Sequence, residues 1–353
     1  MIQTVLEIVC VLIILLYTVI LIMSRGKGEP KGPRAPVRVI VPTHNEAGTV
    51  GDCLDSLLRM ESRTPHSIHV IDDDSTDGTP GVVSRYGDRV ELITRPSRRS
   101  KADALNDALN RMSGEHFAIV DGDCTVEADW ISRIVAGFAD PSVGICTGSV
   151  LVRNRLETIW SRAQSCEMAF LCHQMLRPVE RVGMLYSING NNFALTRECW
   201  ERVGGFDTSK LTEDTDFAIR TRMSGLQIRF APAKVYTRVP ERIGALLRQR
   251  RRWYIGWYQD LSTASLFAGA IFILLFYYAS LFFLAAFSLV SVACLATYLV
   301  QLTLTYRSAY GETSILNPLL FIVLGPIITT ATIITALPKV IKGTEQLDVT
   351  RDW

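Results

Sequence analysis

The feature that most constrains this chain is a stretch from Leu261 to Tyr306 that contains no charged residue. At ~1.5 Å of rise per residue such a run would form about 69 Å of helix, roughly two crossings of a ~30 Å hydrocarbon layer. A helical hairpin in a membrane is therefore expected. Thr313 to Pro338 is also uncharged and long enough to span, and Pro318 and Pro326 inside it predict a kinked or partly re-entrant helix. Ile8 to Met23 is a further uncharged run. No basic residue precedes it, and Ser24-Arg25-Gly26-Lys27 stands where a cleavage site would need small residues, so residues 1–24 read as a retained anchor. Residues 261–338 are expected to supply two to three spans, followed by a tail over residues 339–353.

Arg25, Lys27, Lys31 and Arg34 follow the first run with only Glu29 against them, a bias that places the next segment in the cytoplasm. Lys31 to Pro36 reads as a linker. Lys339 and Lys342 would fall outside if three later spans cross, so the side of the C-terminus stays open. The chain has 353 residues, enough for about two units at ~150 residues each. Lys plus Arg exceed Asp plus Glu by only two, which argues against a nucleic-acid binder that works by neutralising phosphates. Eight cysteines without a CxxC pair argue against a disulfide framework or zinc site. His66 and His69 read as two polar loop residues.

Between Pro36 and Asp140, Val37 to Val41, Ile68 to Ile71, Val90 to Ile93 and Phe117 to Val120 look like buried strands. Lys101 to Met112 places Ala104, Leu105, Ala108, Leu109 and Met112 on one face of a helix. This is a βαβ series, which builds an α/β fold whose ligand crevice lies outside the carboxyl ends of its parallel strands. Residues just after those strands are Pro42-Thr43-His44-Asn45-Glu46, Asp72 to Thr79, and Asp121-Gly122-Asp123. A single acidic strand end commonly caps a helix or makes a turn. Two on one sheet edge suggest more, because carboxylates two residues apart can share a hard cation that also recruits phosphate oxygens. Asp121 and Asp123 suit that role.

Glu213, Asp214 and Asp216 follow Thr212 at the start of an amphipathic stretch, where acids also simply favour a helix N-terminus. Like-charge repulsion among the three would raise the proton affinity of one. Residues 241–260 form a basic amphipathic helix, with Ile243, Leu246, Leu247, Arg250, Tyr254 and Trp257 at helical spacing. Beside a membrane, such a helix can lie in the interface and attract anionic lipids without any active site.

In this order, Asp72-Asp73, Asp121-Gly122-Asp123, Thr212-Glu213-Asp214 and Gln249-Arg250-Arg251-Arg252-Trp253, a QxxRW pattern, resemble the membrane-embedded inverting glycosyltransferases of family 2, the cellulose, chitin and hyaluronan synthase type. The resemblance covers about residues 36 to 260. It implies a GT-A domain over residues 36–240, a mixed and mostly parallel Rossmann-like sheet that takes a nucleotide-diphosphate sugar, with UDP expected, and Mg²⁺ or Mn²⁺. By the same resemblance Asp73, with Asp72, would meet the uracil or ribose, Thr43 and Glu46 would border the nucleotide pocket, and Lys101 would lie near the diphosphate. Asp123, assisted by Asp121, would hold the metal. Asp214, beside Glu213, would be the general base for single displacement with inversion. Gln249, Arg252 and Trp253 would bind diphosphate and acceptor, and the Asn189-Gly190-Asn191-Asn192-Phe193 segment, Asn191 included, would line the acceptor side as a loop before a helix starting near Arg197.

These expectations describe an enzyme of the cell membrane that extends a polysaccharide or oligosaccharide. Three or four spans are few for a polymer path within one chain, and a homo-oligomer, an export partner or a short product would reconcile this. Two alternatives are transfer of one sugar to a lipid, such as a polyprenyl phosphate or glycolipid, and a non-catalytic subunit of an export complex. The intact carboxylates disfavour the second.

Overall fold

The computed structural model describes residues 2–24, 35–62, 64–181, 183, 185–260 and 288–341. Most of the linker, the first part of the expected hairpin (261–287) and the tail from Lys342 lie outside the described residues. The chain divides into two compact units, one built from residues 28–150 and 185–238 and the other from residues 1–27, 151–184 and 239–344.

The first unit is built on one eight-stranded sheet of order β3-β2-β1-β4-β7-β6-β8-β5. Strands β1 (Val37–Thr43), β2 (His66–Asp72), β3 (Val90–Thr94) and β4 (His116–Val120) are parallel. Strands β5 (Thr125–Val126), β6 (Val143–Val152), β7 (Asn192–Thr196) and β8 (Gln227–Thr237) complete the sheet with antiparallel pairings of β4 with β7, β6 with β7 and β5 with β8. The Val/Ile runs of β1 and β4 are buried throughout, as fits strands covered on both faces. His66 and His69 are not loop residues: both belong to β2, where buried His69 shares a 2.7 Å contact with Glu91 of the neighbouring strand. All eight cysteines are free and buried.

From β1 the chain steps outward to β2 and β3, then returns to place β4 on the other side of β1. The reversal opens a crevice between the carboxyl ends of β1 and β4, where α/β sheets bind ligands. The expected helix is Lys101–Arg111, capped by Ser100 Oγ, which accepts from the Asp103 N–H at 3.1 Å. Met112 terminates this helix rather than extending its buried face.

In the second unit, the helices Leu289–Tyr310 and Leu316–Pro338 are long and apolar enough to cross a membrane. The N-terminal helix runs Ile2–Ser24. Pro318 lies in the first turn of the Leu316–Ile341 helix, where its missing N–H has no intrahelical partner to lose, while Pro326 and Pro338 fall inside it. Polar side chains pair within this unit. Asn317 Nδ2 donates to Tyr306 Oη (2.8 Å) and Ser165 Oγ (3.1 Å), and Gln301 Nε2 donates to Thr18 Oγ1 (2.7 Å).

Candidate active site

The loops after β1 and β2 are laced into one rim. Asn45 and Asp74 adopt φ of +57° and +60°, left-handed backbone in which Asn and Asp are enriched. The Asn45 N–H donates to Ser75 Oγ (2.9 Å), the Thr76 N–H to Asn45 Oδ1 (2.8 Å), and the Glu46 N–H to Thr79 Oγ1 (2.8 Å). Asp77 accepts from the Ala47 N–H at 3.0 Å. Burial alone would raise the Asp77 carboxyl, but the hydrogen bonds from Thr79 and Ala47 hold it below its ordinary value.

Beneath this rim lie Asp72 and Asp73. Asp72 accepts from the Ser75 N–H at 3.1 Å and from Thr43 Oγ1 at 3.5 Å. Asp73 is fully buried, with one oxygen paired to Arg95 and the other accepting from the Arg99 N–H at 3.2 Å. Burial pushes this carboxyl up, and Arg95 and Arg99 oppose the shift. Both oxygens therefore brace the loop after β3. Arg95 is a site residue that sequence reasoning missed, since only its place in a basic cluster just after a strand hinted at it.

Asp121, Gly122 and Asp123 follow β4 across the crevice. A Cβ at Gly122 would lie 2.1 Å from Glu46 Oε2 and 2.8 Å from Thr43 Cγ2, so only glycine lets Glu46 reach between the two aspartates. Asp123 accepts from Thr237 Oγ1 and Cys124 Sγ, each at 3.2 Å. Lys101 Nζ pairs with Asp121 and donates to the Gly190 carbonyl at 3.0 Å. Burial by itself would lower the Lys101 ammonium, but Asp121, Glu213 and Asp214 outweigh it and raise the group. Glu46 Oε2 is buried with no hydrogen-bond partner among the described residues. Burial, then Asp123 and Asp121, push its carboxyl up to about 9.

Glu46, Asp123 and Asp121 crowd three carboxyl groups opposite one lysine, a concentration of acid that a divalent cation would relieve. Among the described residues no three His, Cys, Asp or Glu side chains form a ready cage. A cation on Asp123 and Asp121 would therefore complete its shell with water or phosphate oxygens, as Mg²⁺-like ions commonly do.

The helix Glu213–Met223 brings its acidic first turn to the same place. Asp214 Oδ1 accepts from the Thr215 N–H at 2.8 Å, and Asp214 adds to the upward shift of Asp121 that burial begins. A Cβ on Gly190 would stand 2.5 Å from Asp214 Oδ2. Asp216 is instead tied to Arg220 at 2.6 Å, while Glu213 and Asp214 act electrostatically on Lys101. Asn191 Nδ2 reaches Cys124 Sγ at 3.7 Å, linking its loop to the Asp121–Asp123 turn. Asn192 and Phe193, expected in that loop, are core residues of β7. Asn192 accepts from Trp130 Nε1 (2.9 Å) and donates to the Ser149 (2.8 Å) and Ala233 (3.1 Å) carbonyls.

The first unit thus gathers Thr43, Glu46, Lys101, Asp121, Asp123, Asn191, Glu213 and Asp214 around one sheet edge, with Asp72 and Asp73 supporting it. Gln249, Arg252 and Trp253 belong to the second unit, on the helix Ile243–Gln259. There Leu246 and Arg250 are buried, whereas Ile243, expected on the apolar face, is exposed.

The profile described as "Glycosyltransferase like family 2" matches residues 33–256. The chain belongs to this family. It is 30% identical over 231 residues to the probable glycosyltransferase YdaM of Bacillus subtilis, covering 62% of this chain and 54% of that one. It is 28% identical to the beta-monoglucosyldiacylglycerol synthase of Synechocystis (64% and 49% covered). The same identity links it to the poly-beta-1,6-N-acetyl-D-glucosamine synthase of Staphylococcus aureus (64% and 55%). The match spans about half the length of these curated relatives. Among solved structures, a mannosyltransferase from Pyrobaculum calidifontis in complex with GDP-Man and Mn²⁺ superposes with a TM-score of 0.65 at 24% identity, covering 95% of this chain and 97% of that one. This likeness shows the GT-A type of fold. As a family 2 glycosyltransferase the chain is an enzyme.

Proposed function

We propose that this family 2 glycosyltransferase moves a sugar from a nucleotide-diphosphate donor to a growing poly- or oligosaccharide at a membrane, by a metal-dependent single displacement with inversion. The observation that carries the reading is the meeting of Asp121, Asp123 and Glu46 with the Asp214 helix start at the β1/β4 switch point. In this reading the rim at Thr43–Glu46, with Asp72 and Asp73 beneath it, borders the nucleotide. Lys101 fixes Asp121 against the Gly190 loop and faces the diphosphate. Asp123 and Asp121 would hold Mg²⁺ or Mn²⁺, which when bound offsets charge on the departing nucleoside diphosphate. Asp214, beside Glu213, accepts the proton of the acceptor hydroxyl as its oxygen bonds to the anomeric carbon and the carbon–phosphate-oxygen bond breaks. Gln249, Arg252, Trp253 and Asn191 bind diphosphate and acceptor. The two apolar helices support a membrane setting, with the catalytic unit read as cytoplasmic.

A second reading transfers one sugar to a membrane lipid. It is favoured by the naming of one relative as a beta-monoglucosyldiacylglycerol synthase. Purified chain in nanodiscs, offered UDP-glucose, UDP-N-acetylglucosamine and GDP-mannose with Mn²⁺, tests both. Nucleoside diphosphate release from one donor with a lengthening glycan supports the first reading. One transfer that needs added lipid supports the second, and no release from any donor contradicts both.

A further inference from the structure

The family resemblance gives roles to Gln249, Arg252 and Trp253 but none to Arg250, nor to a glutamate far upstream. Glu167 Oε2 and Arg250 Nη2 stand 2.6 Å apart, with each side chain only 9% exposed. The Arg250 guanidinium carbon lies 4.2 Å from the centre of the Trp253 ring, one helical turn on. Trp253 packs on the small apolar cluster of Val152, Met168 and Val239. The segment leading into this helix is also pinned. Asn154 accepts from the Val239 N–H (3.0 Å) and donates to its carbonyl (3.0 Å), while Gln164 donates to the Pro240 carbonyl (2.9 Å).

Arg250 is costly as a purely structural element. Its Nε and Nη1 are buried with no hydrogen-bond partner among the described residues. A buried pair with unmet donors commonly stabilises no better than apolar side chains of the same volume. What it does supply is orientation, since a planar guanidinium fixed by one carboxylate presents a flat, charged face for an indole to stack on.

We propose that Glu167 is a positioning residue that acts through Arg250 to fix the plane of Trp253, the ring that faces the acceptor sugar. The proposal rests on the transferase reading for the role of Trp253, but its geometry can be tested without turnover. Two variants of the full chain in nanodiscs are needed. Glu167→Gln with Arg250→Met removes both charges and leaves none buried alone, and Arg250→Lys keeps a cation opposite Glu167 but loses the planar stack. Both are labelled with 5-fluorotryptophan, and the Trp253 resonance is assigned by its loss in Trp253→Phe. The expected result is a displaced or broadened Trp253 fluorine signal in both variants. Nucleoside diphosphate release from whichever of the three sugar nucleotides wild type uses should fall about tenfold, with the KM for that donor within twofold. An unmoved Trp253 signal, or turnover within twofold of wild type, overturns the proposal. Wild-type chain that turns over no donor counts against the transferase reading alone, and the fluorine signal then decides whether Glu167 and Arg250 set the ring.

Discussion

Gly190→Ala tests the placement of Asp214, the proposed base, with the smallest possible perturbation. The Gly190 backbone is not in the left-handed region, so alanine adds only a methyl group. That methyl would sit 2.5 Å from Asp214 Oδ2 and 3.0 Å from its Cγ, against ordinary contacts from 3.4 Å, so the carboxylate must retreat by about 0.9 Å. A misplacement of ~1 Å in a reacting group costs ~10²-fold in rate, equivalent to about 2.7 kcal/mol of barrier. Initial rates of nucleoside diphosphate release should therefore fall ~10²-fold in kcat, with the donor KM within twofold and the thermal midpoint little changed. Gly48→Ala is the control, because a Cβ there meets nothing within 4 Å. Wild-type kcat in Gly190→Ala would refute the argument that Asp214 works from this position.

Gly122→Ala pushes a methyl onto Glu46 and Thr43, so the Mn²⁺ concentration for half-maximal nucleoside diphosphate release should rise at least ~10-fold; overpacking of ~1–3 kcal/mol sets the scale. Asn192→Ala strands Trp130 Nε1 and two carbonyls, and at ~1–3 kcal/mol per unsatisfied group it should lower the thermal midpoint steeply and reduce soluble yield. His69 and His116 are both held below their ordinary value by burial, against the pull of Glu91 and Glu115. Since the folded chain binds these protons more weakly than the unfolded chain, the contribution is present above about pH 6.5 and is lost as pH falls through the folded values. The thermal midpoint should drop between pH 7 and 5, and His69→Gln with His116→Phe should flatten that slope.

The parallel half of the sheet was legible because Val/Ile runs such as Val37 to Val41 and Phe117 to Val120 must be buried on both faces. The crevice followed from the βαβ order. Asp121 and Asp123 were legible because their spacing is local. Features set by contacts distant in sequence were not. Asp73 reads as a nucleotide-facing strand-end acid, yet it is paired with Arg95, 22 residues away. Asn192 reads as a turn residue, yet Trp130 and the carbonyls of two strands make it a buried junction. Arg250 falls at helical spacing with Leu246, Leu247 and Tyr254, but nothing local names Glu167, 83 residues upstream, as the carboxylate buried against it. In each case the local pattern correctly marks a polar residue but contains nothing about the partner that allows it to be buried.

The central claim is that Asp214 accepts the proton as the sugar leaves its nucleotide, and Asp214→Asn measures it most directly. The amide keeps the shape of the side chain and removes its basicity. With the donor that wild type turns over, and saturating Mn²⁺, product formation by Asp214→Asn should fall at least ~10²-fold, in line with the ~10²–10⁴-fold supplied by general bases, while nucleotide binding persists. Equal rates of product formation by the variant and wild type would contradict the account.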